Sequence, residues 1–212
     1  MRAGTNSKKI TEPPKTADTK EANMAVGKFI SSLKFGPFSI SSQVFHLSPT
    51  RLSYALVNLK PLVPGHVLVC PTRCVPRLSQ LTAEETADLF LSVQRVSRTL
   101  ERVFHASSLN VAVQDGIDAG QSIPHVHVHI IPRKPHDLDS QGGADSIYDM
   151  MDGEPGNLGK AFFEMQQARE QRKNHRAFSA GPDSDRKPRS EQEMQEEAEQ
   201  FRREMMKDEN ND

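Results

Sequence analysis

The sequence predicts an α+β domain: an antiparallel sheet of about five strands, one long helix packed on it, and a further helix near the C-terminus. Three observations lead there. Short β-rich runs separated by proline and glycine turns fill residues 44–71. One long stretch of helical apolar spacing follows, from Thr82 to Phe104. Two more strand patterns come after it, the second holding His125-Val126-His127-Val128-His129.

Residues 1–30 are rich in Lys, Thr, Pro and Asn, with Pro13-Pro14 in the middle, and read as a disordered tail in which Met24 is a possible second start. The acids Glu12, Asp18 and Glu21 argue against a transit peptide. The domain proper is expected over 31–150, with apolar residues first clustering around Gly36-Pro37. Val44 to Leu47 is a short strand, and Ser48-Pro49-Thr50 turns the chain. Ser53 to Leu59 is a second strand, in which Asn58 is the odd polar member. Pro64-Gly65 turns into His66-Val67-Leu68-Val69-Cys70, so these two strands form an antiparallel hairpin.

Thr82 followed three residues later by Glu85 is a capping box. Leu89, Phe90, Val93, Val96, Leu100, Val103 and Phe104 then follow at helical spacing as one apolar stripe, so this helix lies on the sheet. Leu109 to Gln114 is the next strand, closed by Asp115-Gly116, and a loop through Gly120 leads to the histidines. Residues 151–189 read as a flexible polar segment, with a helical piece from Lys160 to about Lys173. Ser190 and Glu193 form a second capping box opening a charged helix over 190–206, whose apolar face is too narrow for core and which docks on the domain.

Composition narrows the function classes. With 35% hydrophobic and 26% charged residues among 212, the chain is too polar for one fully packed globule. A net charge of −1 carries no basic excess for nucleic acid. Cys70 and Cys74 form neither a zinc pattern nor a disulfide framework, which points to a reducing compartment. No apolar run approaches a membrane span. The expectation is a soluble cytoplasmic protein, with the nucleus as a second compartment, and no nucleic-acid or membrane partner.

The histidine stretch carries the chemistry. On an extended strand alternate side chains share a face, so the three imidazoles face one way and Val126, Val128 and Ile130 the other. Buried polar groups need partners, so three histidines on one face imply a site. Each is an acid, base, nucleophile or ligand near neutral pH. Zinc is the competing reading, because imidazoles on one strand face can meet one metal. The nearby Gly120-Gln121-Ser122 loop and Asn58 are phosphate-handling residue types rather than carboxylate partners for metal-bound histidines, so no metal site is expected. His46, His105, His136 and His175 are isolated and read as ordinary surface residues, and Cys70 and Cys74 as inert thiols.

The alternating histidines followed by two apolar residues resemble the signature of the histidine triad (HIT) superfamily of nucleotide hydrolases and transferases. Ser53 to Pro71, Gln114-Asp115-Gly116, Gly120-Gln121-Ser122, Ser146-Ile147-Tyr148 and the Arg189-Ser190-Glu191-Gln192-Glu193-Met194 run resemble more narrowly its fragile-histidine-triad branch, the diadenosine triphosphate hydrolases. The resemblance covers roughly residues 33–148 and 189–205, and it implies a HIT-like fold and a homodimer.

It also implies roles. His127 would attack the α-phosphate, release ADP and form an adenylyl-histidine that water hydrolyses to AMP. A main-chain carbonyl within the strand would orient its other nitrogen. His129 would donate to the α-phosphate oxygens, His125 would stand near the bridging oxygen, and His66 would support the network. Gly120, Gln121, Ser122 and Ile123 would wrap the phosphates, while Gln114 and Asn58 would meet phosphate and ribose. A divalent cation, Mg²⁺ or Mn²⁺, would ride on the substrate phosphates. Phe38 stands where the family often has a histidine, which leaves stacking as its only contact to a base. Two alternatives stay open: an adenosine phosphoramidate hydrolase of the same superfamily, and a nucleotide-bound signalling protein with slow turnover, its partner contacts in the polar segments. Histidine at 129, where the nucleotidyl transferases carry glutamine, removes that branch.

Overall fold

The computed structural model describes residues 16–153 and 189–209, together with positions 159, 163, 164 and 167. Helix α1 (Thr16–Ser32) comes first, then a small hairpin of β1 (Lys34–Phe35) and β2 (Phe38–Ser39) turning at Gly36, whose φ is 55°. The main sheet is built from β3 (Val44–Leu47), β4 (Ser53–Val57), β5 (Val67–Pro71), β6 (Ser108–Ala112) and β7 (Val128–Arg133). Its strand order is β3-β4-β5-β7-β6, and every neighbouring pair is antiparallel. This five-stranded sheet with helices laid on it is the α+β architecture expected.

Helix α2 (Ala83–Phe104) starts at the anticipated capping box: Thr82 Oγ1 accepts from Glu85 N–H at 3.1 Å, and Glu85 accepts from Thr82 N–H at 2.8 Å. Two donors that a helix start would leave unmet are thereby satisfied. Leu89, Val93, Val96 and Leu100 are buried and α2 lies across β4, β5 and β7. Such side chains each contribute about 1.5–3 kcal/mol on burial. On the other face, Ile131 joins Leu62, Leu138, Ile147 and Met151 in a second cluster under α3 (Ser146–Asp152). Ile131 sits two residues beyond His129 and therefore on the same face of β7.

Two expectations change. The segment read as a disordered tail is helical from Thr16, and its far end is tied down by Phe29 and Ile30, which pack on the main core. Residues 1–15 lie outside the described residues. Helix α4 (Glu191–Glu209) opens at the second capping box, with Glu193 N–H to Ser190 Oγ at 3.2 Å. It is nonetheless core: Met194, Ala198, Phe201 and Met205 are all buried in the main cluster, with Phe201 against Phe45 and Phe104. A narrow stripe suffices because aromatic rings on β3 and α2 fill the space beside it. Within the 151–189 segment, and the helical piece expected inside it, positions 159, 163, 164 and 167 are helical; almost all of the remainder lies outside the described residues.

Candidate active site

The histidine stretch is less regular than a strand read from its alternation. Ladder pairing on β5 begins only at Val128, which faces Val69, and His129 faces Leu68. Before that point the chain is pinned elsewhere: Val126 N–H donates to Val75 O at 2.7 Å, and His125 N–H to Ile123 O at 2.7 Å. His125, His127, His129 and His66 are nevertheless all buried, at 3% exposure or less.

Main-chain groups at the margins decide where each ring proton lies, because an amide N–H only donates and a carbonyl only accepts. Leu62 N–H donates to His66 Nδ1 at 3.1 Å, so the His66 proton is on Nε2. His66 Nε2–H then donates to His129 Nδ1 at 2.9 Å, which leaves the His129 proton on its own Nε2. That Nε2–H is buried and has no partner among the described residues. Such an orphan is costly unless something else accepts from it. His127 Nδ1–H donates to His125 O at 2.7 Å, so the lone pair of His127 sits on Nε2. The anticipated main-chain acceptor inside the stretch is thus present, and it is the carbonyl of His125.

The rings of His127 and His129 meet edge to face, with centroids 4.9 Å apart. Phe35 stands at 5.1 Å from His127 and 5.7 Å from His125, closing the apolar side. Burial in these surroundings disfavours the imidazolium. It holds His127 down to about 4 and His66 to about 3, with neighbouring His127 and then Arg189 adding to the effect at His66. His129 is likewise lowered, by burial and then by His127 and His66. At neutral pH the group is uncharged, with one nucleophilic nitrogen and one open donor side by side.

His125 departs from its expected place near a reacting oxygen. Gly36 N–H donates to its Nδ1 at 3.1 Å and its Nε2–H donates to Pro71 O at 2.8 Å. Both ring nitrogens are occupied by backbone, so His125 braces the hairpin, β5 and the histidine stretch together. It has no nitrogen left for a proton relay or for a metal. Among the described residues no group of three or more His, Cys, Asp or Glu is placed to hold a metal ion.

The remaining predicted residues gather around this group with mixed assignments. Asn58 Oδ1 accepts from Lys60 N–H at 2.9 Å, which orients its amide nitrogen toward His66, 3.3 Å from Nε2 and 3.5 Å from Nδ1. Gln114 is nearly buried, its amide 3.4 Å from Asp152 and pressed against Gly120. Gly120 has φ +84°, and a Cβ there would fall 2.5 Å from Gln114 Nε2, so only glycine fits. Gln121 Nε2 donates to Pro76 O at 2.9 Å and lies 3.5 Å from His125 O, holding the loop to the chain rather than pointing outward as a phosphate donor. Ser122 Oγ accepts from Gly159 N–H at 3.3 Å. Ile123 is buried against Gly36, where a Cβ would meet it at 2.7 Å. Phe38 is 9% exposed and belongs to the main core, so it is not presented for stacking on a base.

Sequence reasoning missed Phe35, the Gly36 and Pro71 backbone groups on His125, Asp152, and Arg189, which reaches the Asn58 carbonyl. Only Gly36, between Phe35 and Pro37, carried a local hint.

A neutral histidine pair on an antiparallel sheet, one ring open as nucleophile and the other as donor, defines an α+β enzyme built for histidine-based group transfer. The chain belongs to the HIT-domain family, whose profile matches residues 40–136, and its relatives put it in the fragile-histidine-triad branch. It is 48% identical over 169 residues to the bis(5'-nucleosyl)-tetraphosphatase [asymmetrical] of Schizosaccharomyces pombe, covering 78% of this chain and 90% of the relative. It is 47% identical over 173 residues to the bifunctional bis(5'-adenosyl)-triphosphatase/adenylylsulfatase FHIT of Arabidopsis thaliana, covering 81% and 83%. Among solved structures it resembles the C. elegans NitFhit protein, with a TM-score of 0.55 and 35% identity over 81% of this chain and 30% of that one.

Proposed function

We propose that this protein hydrolyses dinucleoside polyphosphates, cleaving diadenosine triphosphate to AMP and ADP through an adenylyl-His127 intermediate. The observation that carries the reading is the ring-proton arrangement: a neutral His127 with its lone pair on Nε2 beside an unpartnered His129 Nε2–H. His127 Nε2 forms a bond to the α-phosphorus as the bond to the bridging oxygen breaks, and ADP leaves with that electron pair. His129 donates to a non-bridging oxygen whose charge grows in the transition state. Water then attacks the same phosphorus, His127 leaves, and AMP is released. A divalent cation, Mg²⁺ or Mn²⁺, would be carried on the substrate phosphates and would offset the charge of the leaving diphosphate.

Bis(5'-adenosyl)-triphosphatase is the name of the Arabidopsis relative, and the tetraphosphatase name of the Schizosaccharomyces relative makes the longer chain the second substrate to test. Neither name favours the phosphoramidate alternative. The protein works as a homodimer in the cytoplasm. Support for pairing is the exposed edge strand β6, with Val111 46% exposed, and Phe90 and Leu91 on α2 at 42% and 65%. Support for the compartment is two free cysteines.

The test is product analysis with diadenosine triphosphate and Mg²⁺. Equimolar AMP and ADP are expected from the wild type, and turnover lower by on the order of 10³-fold or more in His127→Asn. Equal cleavage by both proteins would remove His127 from the reaction. Binding without cleavage by either would favour the signalling reading.

A further inference from the structure

Outside the phosphate site, one cation reaches the back of the histidine relay. Arg189 is the residue just before the Ser190 cap of α4, and it is tied to the end of β4 by main chain and side chain together. Its N–H donates to Leu59 O at 3.2 Å. Its guanidinium Nε donates to Asn58 O at 3.1 Å, and Nη2 donates to the same oxygen. Nη1 pairs with Glu197 Oε2 at 2.5 Å, about two turns into α4. Both members of this ion pair are about four-fifths shielded from solvent, at 19% and 21% side-chain exposure. A planar guanidinium fork is suited to such a contact, since two donors converge on one oxygen while a third is held by a carboxylate.

The contact matters because of what the other end of Asn58 does. The Asn58 carbonyl is held by Arg189, and its side-chain Oδ1 by Lys60 N–H. Only the amide nitrogen remains, and it lies against the edge of His66. His66 in turn sets the His129 tautomer by donating to Nδ1, which is what leaves His129 Nε2–H open. Glu197, Arg189, Asn58, His66 and His129 therefore form one continuous chain of contacts from the outer helix to the open His129 donor. Burial, then neighbouring His127, then the Arg189 charge favour the neutral form of the His66 ring.

We propose that Arg189 is a positioning residue for the hydrolysis: through the Asn58 main chain it holds the His66 ring in the orientation in which Nδ1 meets Leu62 N–H, so that the proton stays on Nε2 and the His129 donor stays aimed at the substrate. It touches neither substrate nor reacting atoms. The inference rests on the proposed hydrolase reading for its kinetic arm, but its spectroscopic arm needs no substrate.

The full-length chain is compared with Arg189→Met, Arg189→Lys and Arg102→Met. The last is a control for helix docking, because Arg102 bridges α2 to α4 through Glu204 and Asp208 without approaching Asn58. Arg189→Met is expected to lower kcat by roughly 10- to 100-fold with KM changed less than about twofold, as for a misplacement remote from the chemistry. Arg189→Lys should recover part of that loss, having one donor in place of a fork. Arg102→Met should retain wild-type kcat despite a lower melting temperature. Long-range ¹H–¹⁵N spectra of the histidine rings should show a single Nε2–H tautomer at His66 in the wild type and a mixture in Arg189→Met.

An unchanged His66 tautomer in Arg189→Met, or an equal kcat loss in Arg102→Met, would overturn the proposal. Should Arg189→Met fail to fold, the Arg189→Lys spectrum and a Glu197→Gln variant carry the same comparison, and wild-type spectra and kcat in both would sink it. If the wild type does not cleave diadenosine triphosphate at all, the hydrolase reading fails, and the tautomer comparison alone decides the role of Arg189.

Discussion

His125 and His129 stand four residues apart in one stretch, both buried and both neutral, yet they do opposite things. The first meets an amide N–H at Gly36 and a carbonyl at Pro71, so both ring nitrogens are satisfied inside the protein. The second receives one hydrogen bond from His66 and keeps its remaining donor unmet. Residue type and burial are the same, and the neighbouring groups make the difference. A histidine bordered by two backbone groups is a brace; one bordered by another histidine is a tool.

That contrast can be broken by mutation. The largest effect is expected from His129→Asn: kcat lower by about 10²–10³-fold, as when one oxyanion donor is removed, with a modestly lower melting temperature because His66 Nε2–H loses its ring acceptor. Steady-state kinetics beside calorimetry checks both halves. His125→Asn should show the reverse pattern. Leaving the Gly36 N–H and Pro71 O without partners costs about 1–3 kcal/mol, read as a lower urea midpoint, while kcat per folded molecule falls much less than in His129→Asn.

Acid titration separates the buried group from ordinary histidines. Burial holds His127 down to about 4 and His66 to about 3, against about 6.5 for a free imidazole. Below 6.5 the unfolded chain takes up protons that the folded chain refuses, so their contribution to stability is complete above 6.5 and is lost as pH falls through that window. Activity should stay level from pH 7 to about 5 and fall near 4. A midpoint near 6.5 in the rate profile would mean that the nucleophile is solvated. The smallest effect is expected from Gly120→Ala, where a positive φ and the Gln114 contact together lower stability by about 1 kcal/mol. KM should rise several-fold if the displaced Gln114 amide faces substrate.

Local pattern revealed what is local. Both capping boxes, the α2 stripe and the strand runs were legible because each is set by neighbours within a few residues. The His127 carbonyl partner belongs to the same category, lying two residues away. Contacts made across the fold were not legible. Nothing near residue 125 announces that Gly36 and Pro71 will border it, 89 and 54 residues distant. Arg189 reads as a charge before a cap, and its target is 131 residues away. The α4 stripe looked too thin because its missing breadth comes from Phe45 and Phe104. Even the histidine strand was overread: alternation suggested pairing from His125, whereas Pro124 and the Val75 contact delay the ladder to Val128.

The strand order carries a consequence for how the protein comes into being. His66 and His129 are 63 residues apart in sequence but adjacent in the sheet, because β7 inserts between β5 and β6. A nascent chain that has not yet reached Val128 can form the β3-β4-β5 meander, but it has no acceptor for the His66 proton. Competence therefore arrives in one event, when the last strand slots into the middle of the sheet, and this long loop closure is a slow one. Recovery of catalysis during refolding should coincide with completion of the whole sheet, and no fragment ending short of β7 should handle nucleotide at all.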